Sequence, residues 1–278
     1  MIRFVKMHGL GNDFVVFDVR GTELKLSPPE ARALADRKTG IGCDQIIYLR
    51  SSAEADALME VQNADGSRAE SCGNGLRCLA LLLTSGSDGE VRVETDAGVM
   101  SCRVKDRIVR ADMGVPKFLW SEIPLAEERN TTRLKLGMGS LPEGVAVNVG
   151  NPHVIFFPDQ RPDGPGLDLS ALGPKIETHA LFPEKVNVSF ASMEGPERMV
   201  LQVWERGTGL TQACGTAAAA ATVAAIKTGR AGRSISVAMP GGDLKVEWQP
   251  DGHVFLEGPA ALSFKGKLDP EALQGRSA

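Results

Sequence analysis

The chain has 278 residues, of which 42% are hydrophobic and 24% charged, with a net charge of −4. That length suits two domains of ordinary size, each with apolar side chains enough for a core. The mild acidity, the lack of a basic block of five or six residues and an aromatic share of 5% with one tyrosine exclude the charge and stacking platforms of a nucleic-acid binder.

In chain order, residues 1–20 read as strand, turn and strand, with Gly9-Leu10-Gly11-Asn12-Asp13 as the turn. This start has no apolar core with a cleavage site, and no stretch reaches the apolar length of a membrane span, so a cytoplasmic protein without membrane partners is expected. The five cysteines (43, 72, 78, 102 and 214) are odd in number and include no C-x-x-C pair, which argues against a disulfide framework and against a zinc site. Ser27 caps a helix over 31–37, with proline in its first turn. Strands follow at 45–49 and 57–61; the second runs into the polar turn Asn63-Ala64-Asp65-Gly66-Ser67. Cys72-Gly73-Asn74-Gly75 then opens a helix over 76–84. A thiol beside a helix N-terminus, with free N–H groups and the positive end of the dipole, ionises more readily. Cysteine packed as a small hydrophobe is nonetheless the commoner case. Alternating strands at 90–94, 99–104 and 108–111 complete this half.

Regular patterning fades over 116–132, the expected joint, and 161–166 reads as an exposed Pro/Gly loop. The second half repeats the first. Strand 199–203 runs into Trp204-Glu205-Arg206-Gly207, Ala213-Cys214-Gly215-Thr216 follows, and a helix covers 217–228. Cys214 lies 142 residues after Cys72, and Gly150-Asn151 lies 139 after Gly11-Asn12. Asn187, leading a strand, lies 142 after Gln45, and the later strands at 234–238, 244–248 and 254–256 answer those of the first half at about 144. The drift describes one tandem duplication with small loop changes, since solenoids need three or more short repeats. Two domains are expected, 1–117 with Cys72 and 118–262 with Cys214, the tail 263–278 packing back on the first. The helices after the two cysteines are apolar nearly all round, so each should run through the middle of its domain, wrapped by strands.

Two thiols presented by two related domains suit inversion at a carbon acid: one takes the proton as thiolate, the other delivers a proton to the far face. A free thiol has a pKa of ~8.5, and an amino-acid α-proton lies roughly 12 units higher, a deficit of about 16 kcal/mol. Lowering the thiol pKa weakens the base, so the carbanion itself must be stabilised by donors and by exclusion of water. The N–H groups of Gly73, Asn74, Gly215 and Thr216 are such donors. No pyridoxal-phosphate lysine motif, phosphate loop or metal cluster stands out, and cofactor-free chemistry is expected.

At this point the residues carry a resemblance. Met7-His8-Gly9-Leu10-Gly11-Asn12-Asp13-Phe14, the Asn63 turn with Cys72-Gly73-Asn74-Gly75-Leu76-Arg77-Cys78, Gly150-Asn151-Pro152-His153, and Trp204-Glu205-Arg206-Gly207 with Cys214-Gly215-Thr216 resemble the diaminopimelate epimerase family in order over nearly the whole chain. The resemblance implies an α/β fold of the α+β type. It has two homologous domains, each a mostly antiparallel barrel-like sheet around a central helix, with the active site in the cleft between them. It implies interconversion of LL- and meso-diaminopimelate on the route to lysine and peptidoglycan, no cofactor, a small-molecule amino-acid substrate and a homodimer. By position, Cys72 and Cys214 become the acid/base thiols. Asn12, Gln45, Asn63, Gly73, Asn74, Asn151, Asn187, Glu205, Arg206, Gly215 and Thr216 become the substrate-binding set. His153 and Glu205 become the groups that tune thiol protonation. Leu210 departs from the family pattern, where glutamate is frequent, without touching a role.

Other residues have plainer readings. Cys43, Cys78 and Cys102 are expected in packing, and His8, His179 and His253 in turns or at the surface. Arg206 is read as a carboxylate clamp because a guanidinium forks onto carboxylates. Two rival functions share the sequence features: a proline or hydroxyproline racemase on the same two-thiol plan, and a non-catalytic thiol-redox switch. The asparagine-rich set, with Cys-Gly-Asn-Gly rather than a histidine there, favours a substrate with a second polar end.

Overall fold

The computed structural model describes residues 1–69, 72–139, 141–159, 161–162, 168–269 and 271–274. Residues 163–166 of the expected exposed loop lie outside the described residues. The chain forms two units, Met1–Ala111 with Gly258–Ala278, and Asp112–Glu257.

In the first unit β1 (Ile2–Gly9) and β2 (Asn12–Asp18) make an antiparallel hairpin, and β2 runs parallel to β3 (Gln45–Arg50). Between them α1 (Pro28–Ala35) stops earlier than its sequence pattern, because Asp36 accepts the N–H groups of Lys38 and Thr39 and turns the chain. β4 (Ala57–Asn63) is antiparallel to β3 and to β5 (Arg68–Ala69). After α2 (Gly73–Leu83), β6 (Gly89–Thr95) joins β4 in parallel and leads antiparallel into β7 (Gly98–Lys105) and β8 (Ile108–Asp112). Val15, Phe17, Ile46 and Tyr48 pack with Leu34 of α1 in one buried cluster. Strand alternation turns Phe14, Val16 and Ile47 to the other face. Residues 73–81 of α2 are all buried, and the helix packs on β1, β6 and β7.

The second unit repeats this order. β9 (Gly144–Asn148) and β10 (Pro152–Phe156) are antiparallel, and β10 runs parallel to β11 (Asn187–Met193) across α3 (Leu169–Glu177). β12 (Arg198–Glu205) is antiparallel to β11 and to β13 (Gly209–Thr211). After α4 (Gly215–Lys227), β14 (Ser234–Met239) joins β12 in parallel, and β15 (Gly242–Trp248) and β16 (Val254–Pro259) follow antiparallel. Residues 215–225 of α4 are buried, and the helix packs on strands β9, β10, β11, β12, β14 and β15. Val154, Phe156, Val188 and Phe190 form the cluster that receives Leu169 and Ile176 of α3.

The chain then returns to the first unit. β17 (Ala261–Leu268) pairs antiparallel with β1, and Leu273 of α5 (Glu271–Gln274) enters the α1 cluster. The division after Ala111 falls six residues before the expected joint at 117. Residues 113–117 already hydrogen-bond within the second unit: Met113 N to Val254 O, Val254 N to Gly114 O, and Lys117 N to Asn148 O. Among the described residues no helix is long and apolar enough to cross a membrane.

Candidate active site

Each candidate thiol is the N-cap of its central helix, so both helices begin earlier than the apolar pattern alone predicts. Cys72 has extended backbone, φ −123° and ψ 100°, and Gly75 N donates to its Sγ at 3.4 Å. Gly73-Asn74-Gly75 is therefore the first turn of α2, whose N–H groups point out of the helix end rather than to a carbonyl of a preceding turn. Residue 75 packs closely: a Cβ there would stand 2.8 Å from Ile47 Cδ1, which would have to move, and 3.5 Å from Cys72 Sγ.

Three strand ends carry the expected amides of this unit, and one of them reaches the thiol. Asn12 follows Leu10 and Gly11, both at positive φ (55° and 86°), which swing the β1–β2 turn. Its Oδ1 lies 3.9 Å from Cys72 Sγ and accepts from Asn74 Nδ2 at 3.2 Å. Gln45 and Asn63 face each other across β3 and β4, Gln45 Nε2 donating to Asn63 Oδ1 at 3.0 Å, and Asn63 Nδ2 donates to Ser67 Oγ at 3.0 Å. Asn12 thus meets both Cys72 and Asn74, while Gln45 and Asn63 form a pair of their own. The remaining thiols of this unit are buried, and burial pushes those of Cys43 and Cys78 up to about 12.

In the second unit Cys214 caps α4 with φ −132° and ψ 116°, its Sγ 3.4 Å from Thr216 Oγ1. It is 6% exposed. Burial raises the thiol well above its usual range and the Glu205 carboxylate adds to the effect, while Thr216 and the Ala217 N–H pull the other way. Cys214 is therefore held as S–H. Glu205, at the end of β12, is itself oriented by Thr211 Oγ1, which donates to its Oε1 at 2.6 Å.

Asn151 and His153 stand at the start of β10, where His153 Nε2 meets Asn151 Oδ1 at 2.8 Å. His153 is paired with Asn187 across the parallel β10–β11 ladder. Burial, with the nearby Arg206 charge, lowers the imidazole to about 3, so it is neutral and donates through Nε2. Its Nδ1 is buried with no hydrogen-bond partner among the described residues. Asn187 ties the segment together, its Nδ2 donating to Pro152 O at 2.9 Å and its Oδ1 accepting Arg206 N at 2.9 Å. Arg206 Nη1 donates to Glu184 O at 2.8 Å. All the expected second-half residues therefore lie on four adjoining pieces: the start of β10, the start of β11, the β12–β13 turn and the α4 cap.

Sequence reading missed four residues that hold these groups. Asp44 binds Asn12, Arg77 binds Asn74, Glu177 binds Trp204 and Gly207, and Thr211 binds Glu205. The available signal was a charged side chain, Arg77, inside a helix with no polar face.

A family model described as diaminopimelate epimerase matches residues 4–119 and 145–263. A diaminopimelate epimerase of Erythrobacter litoralis is 50% identical over 270 residues, covering 96% of this chain and 97% of its own length. One of Rhodospirillum centenum is 46% identical, covering 98% and 94%. Among solved structures, a hydroxyproline epimerase from Agrobacterium vitis with bound trans-4-hydroxy-L-proline superposes with a TM-score of 0.70 at 17% identity, covering 98% of this chain and 93% of that one. A probable proline racemase from Agrobacterium radiobacter gives 0.69 at 16%, covering 98% and 96%. At that distance the two structures share the fold, whereas the family match and the full-length relatives go further. The chain belongs to the diaminopimelate epimerase family, a family of isomerases.

Proposed function

We propose that the chain interconverts LL- and meso-2,6-diaminopimelate without a cofactor, Cys72 and Cys214 serving opposite faces of the reacting carbon. The observation that carries this reading is the pair of cysteine N-caps, each heading a buried helix in one of two units of matching strand order. One thiolate removes the α-proton while the other thiol delivers a proton to the far face, so no net charge is left on the product. The first-turn N–H groups of Gly73, Asn74, Gly215 and Thr216 are donors for the substrate carboxylate, whose charge grows as the α-carbon becomes a carbanion. Asn12, Gln45, Asn63, Asn151, Asn187 and Arg206 are assigned to the polar ends of the substrate, with Arg206 as carboxylate clamp. Glu205 is assigned to the protonation of Cys214, beside which it lies, and His153, which bonds Asn151 rather than a thiol, to holding Asn151. A cytoplasmic homodimer is the assembly that goes with the family reading.

The test compares LL-diaminopimelate, L-proline and trans-4-hydroxy-L-proline as substrates of one preparation, with optical rotation or chiral chromatography as readout. Only diaminopimelate should be inverted. Cys72→Ala and Cys214→Ala should each lower the rate by about 10²–10⁴ or more with the fold retained, and serine should be nearly as poor because an alcohol is a far weaker acid than a thiol. Turnover of proline instead would move the assignment to the rival racemase, and near-normal turnover in either alanine variant would end the two-thiol mechanism.

A further inference from the structure

Between Arg77 and Asp44 two asparagine amides are strung in one hydrogen-bonded row. Arg77 is 0% exposed, and its Nη2 donates to Asn74 Oδ1 at 2.8 Å. Other guanidinium N–H groups reach Gly73 O and Pro259 O, at 3.4 and 3.3 Å. Asn74 Nδ2 donates to Asn12 Oδ1 at 3.2 Å, and Asn12 Nδ2 donates to Asp44 Oδ2 at 3.1 Å. Cys72 Sγ stands beside the row, 3.9 Å from Asn12 Oδ1.

An amide's oxygen and nitrogen ends are close in shape, so an isolated asparagine can turn end for end at little steric cost. The two termini remove that freedom here. A guanidinium only donates, and an ionised carboxylate only accepts. Two amides between a pure donor and a pure acceptor have a single setting in which every link joins a donor to an acceptor. Turning either amide sets N–H against N–H or oxygen against oxygen. Both termini are themselves anchored. Asp44 also accepts Arg37 Nη2 at 2.6 Å and Asp13 N at 3.0 Å, and Asp13 in turn pairs with Arg37 and with Lys6. At the other end Gly9 leaves room for the guanidinium: a Cβ there would stand 3.2 Å from Arg77 Nη2 and 3.4 Å from Asn74 Cβ.

We propose that Arg77 and Asp44 are positioning residues whose opposite hydrogen-bonding polarity fixes both asparagine amides and keeps Asn12 Oδ1, rather than Nδ2, facing the Cys72 thiol. The inference rests on the reading of Cys72 and Asn12 as site residues. A carbonyl oxygen beside Sγ gives the S–H an acceptor, whereas an N–H in its place would favour the thiolate. The row therefore sets the resting protonation of Cys72 and also points the Asn74 backbone and side chain in a fixed direction at the head of α2.

The test needs no substrate. Alkylation of Cys72 is followed against pH in a Cys214→Ala background, with modification at residue 72 read by mass. Among the described residues the charged groups bonded into the row and its ends are Arg77, Asp44, Arg37, Asp13 and Lys6, so loss of one charge has its own effect, and each variant is also made with Asn12→Ala. Asp44→Asn should lower the apparent pKa of Cys72 by about one unit, and at least half of that shift should vanish when Asn12 is already alanine. Arg77→Lys keeps the charge and still only donates, but it loses the forked reach to Asn74 Oδ1, Gly73 O and Pro259 O, so the row is held less firmly. It should give a smaller downward shift with the same dependence on Asn12, and it stands in if Asp44→Asn does not fold. An equal shift with and without Asn12 is the effect of a bare charge; that result, or no shift at all, would overturn the proposal. Because the readout is alkylation, a failed row leaves the epimerase reading standing, and an enzyme inactive on diaminopimelate with the row intact overturns that reading alone.

Discussion

His153 shows how one buried side chain writes itself into the pH dependence of the whole protein. The imidazole titrates near 6.5 in an unfolded chain, whereas in the fold burial, with the charge of Arg206, lowers it to about 3. Between those values the unfolded state binds a proton that the native state refuses. Stability is therefore full above about pH 6.5 and falls as the pH falls, by up to roughly 1 kcal/mol per pH unit. Below about pH 4 a second loss begins. Burial opposes the charge of Asp13, but Arg37 and Lys6 hold that carboxyl well below its usual range, so its contribution disappears on protonation. His153→Gln has no proton to gain. Its urea midpoint should change less than that of the parent between about pH 6 and pH 3, and the two curves should run parallel only below that window. Identical slopes throughout would mean that His153 is charged in the native state. Most of the candidate residues were readable in the sequence as members of short motifs, those around Cys72 and Cys214 and the Gly-Asn steps at 11–12 and 150–151. Asp44, Arg77 and Thr211 were not, because each acts through a second residue that only the fold brings near.

At the scale of elements, the apolar helices α2 and α4 and the alternating strands were legible, since burial on every side and pleat periodicity leave direct marks in a sequence. Others were not, α3 and β17 among them. α3 carries Gly173 and Pro174 in its middle and has no run of apolar residues long enough to show its period. β17 has an exposed pattern, with Leu262 and Phe264 open at 39% and 48%, and is a strand because β1 offers its edge, a long-range fact. α3 matters to the site. Glu177 at its end accepts Trp204 Nε1 at 2.7 Å and Gly207 N at 3.1 Å, gripping the turn that carries Glu205 and Arg206 on both sides. The grip is close because residue 173 lacks a side chain: a Cβ there would stand 2.5 Å from the Trp204 ring. Gly173→Ala must push the indole away and cannot move the helix backbone cheaply. It should cost about 1–3 kcal/mol of stability and raise KM for diaminopimelate more than it lowers kcat, because the displaced turn holds Arg206. An alanine variant with unchanged midpoint and KM would show that α3 is not what sets the turn.

For the molecule as a whole, the duplication was legible as a nearly constant offset between motifs, and the pairing repeats it. An antiparallel hairpin, a parallel step, an antiparallel step and a second parallel step occur in the same order in each unit. Where one unit ends was not legible, because residues 113–117 carry no pattern of their own and bond to β16 and β9. The repeat gives the reaction an isotopic signature. In D₂O the thiols of Cys72 and Cys214 exchange with solvent in the free enzyme, so the donating thiol carries deuterium when unlabelled substrate arrives. On the proposed mechanism the departing proton goes to the other thiol, on the opposite face. Product formed early from LL-diaminopimelate should then carry deuterium at the inverted carbon, while recovered substrate stays largely protonated. The reverse reaction of that product has to break a carbon–deuterium bond and is slower, so the optical signal should pass beyond its equilibrium value before relaxing. A single base reaching both faces would return much of the original proton to the product, and the signal would approach equilibrium from one side. Early product without solvent deuterium would exclude one thiol on each face and, with it, the functional meaning given to the two helix caps.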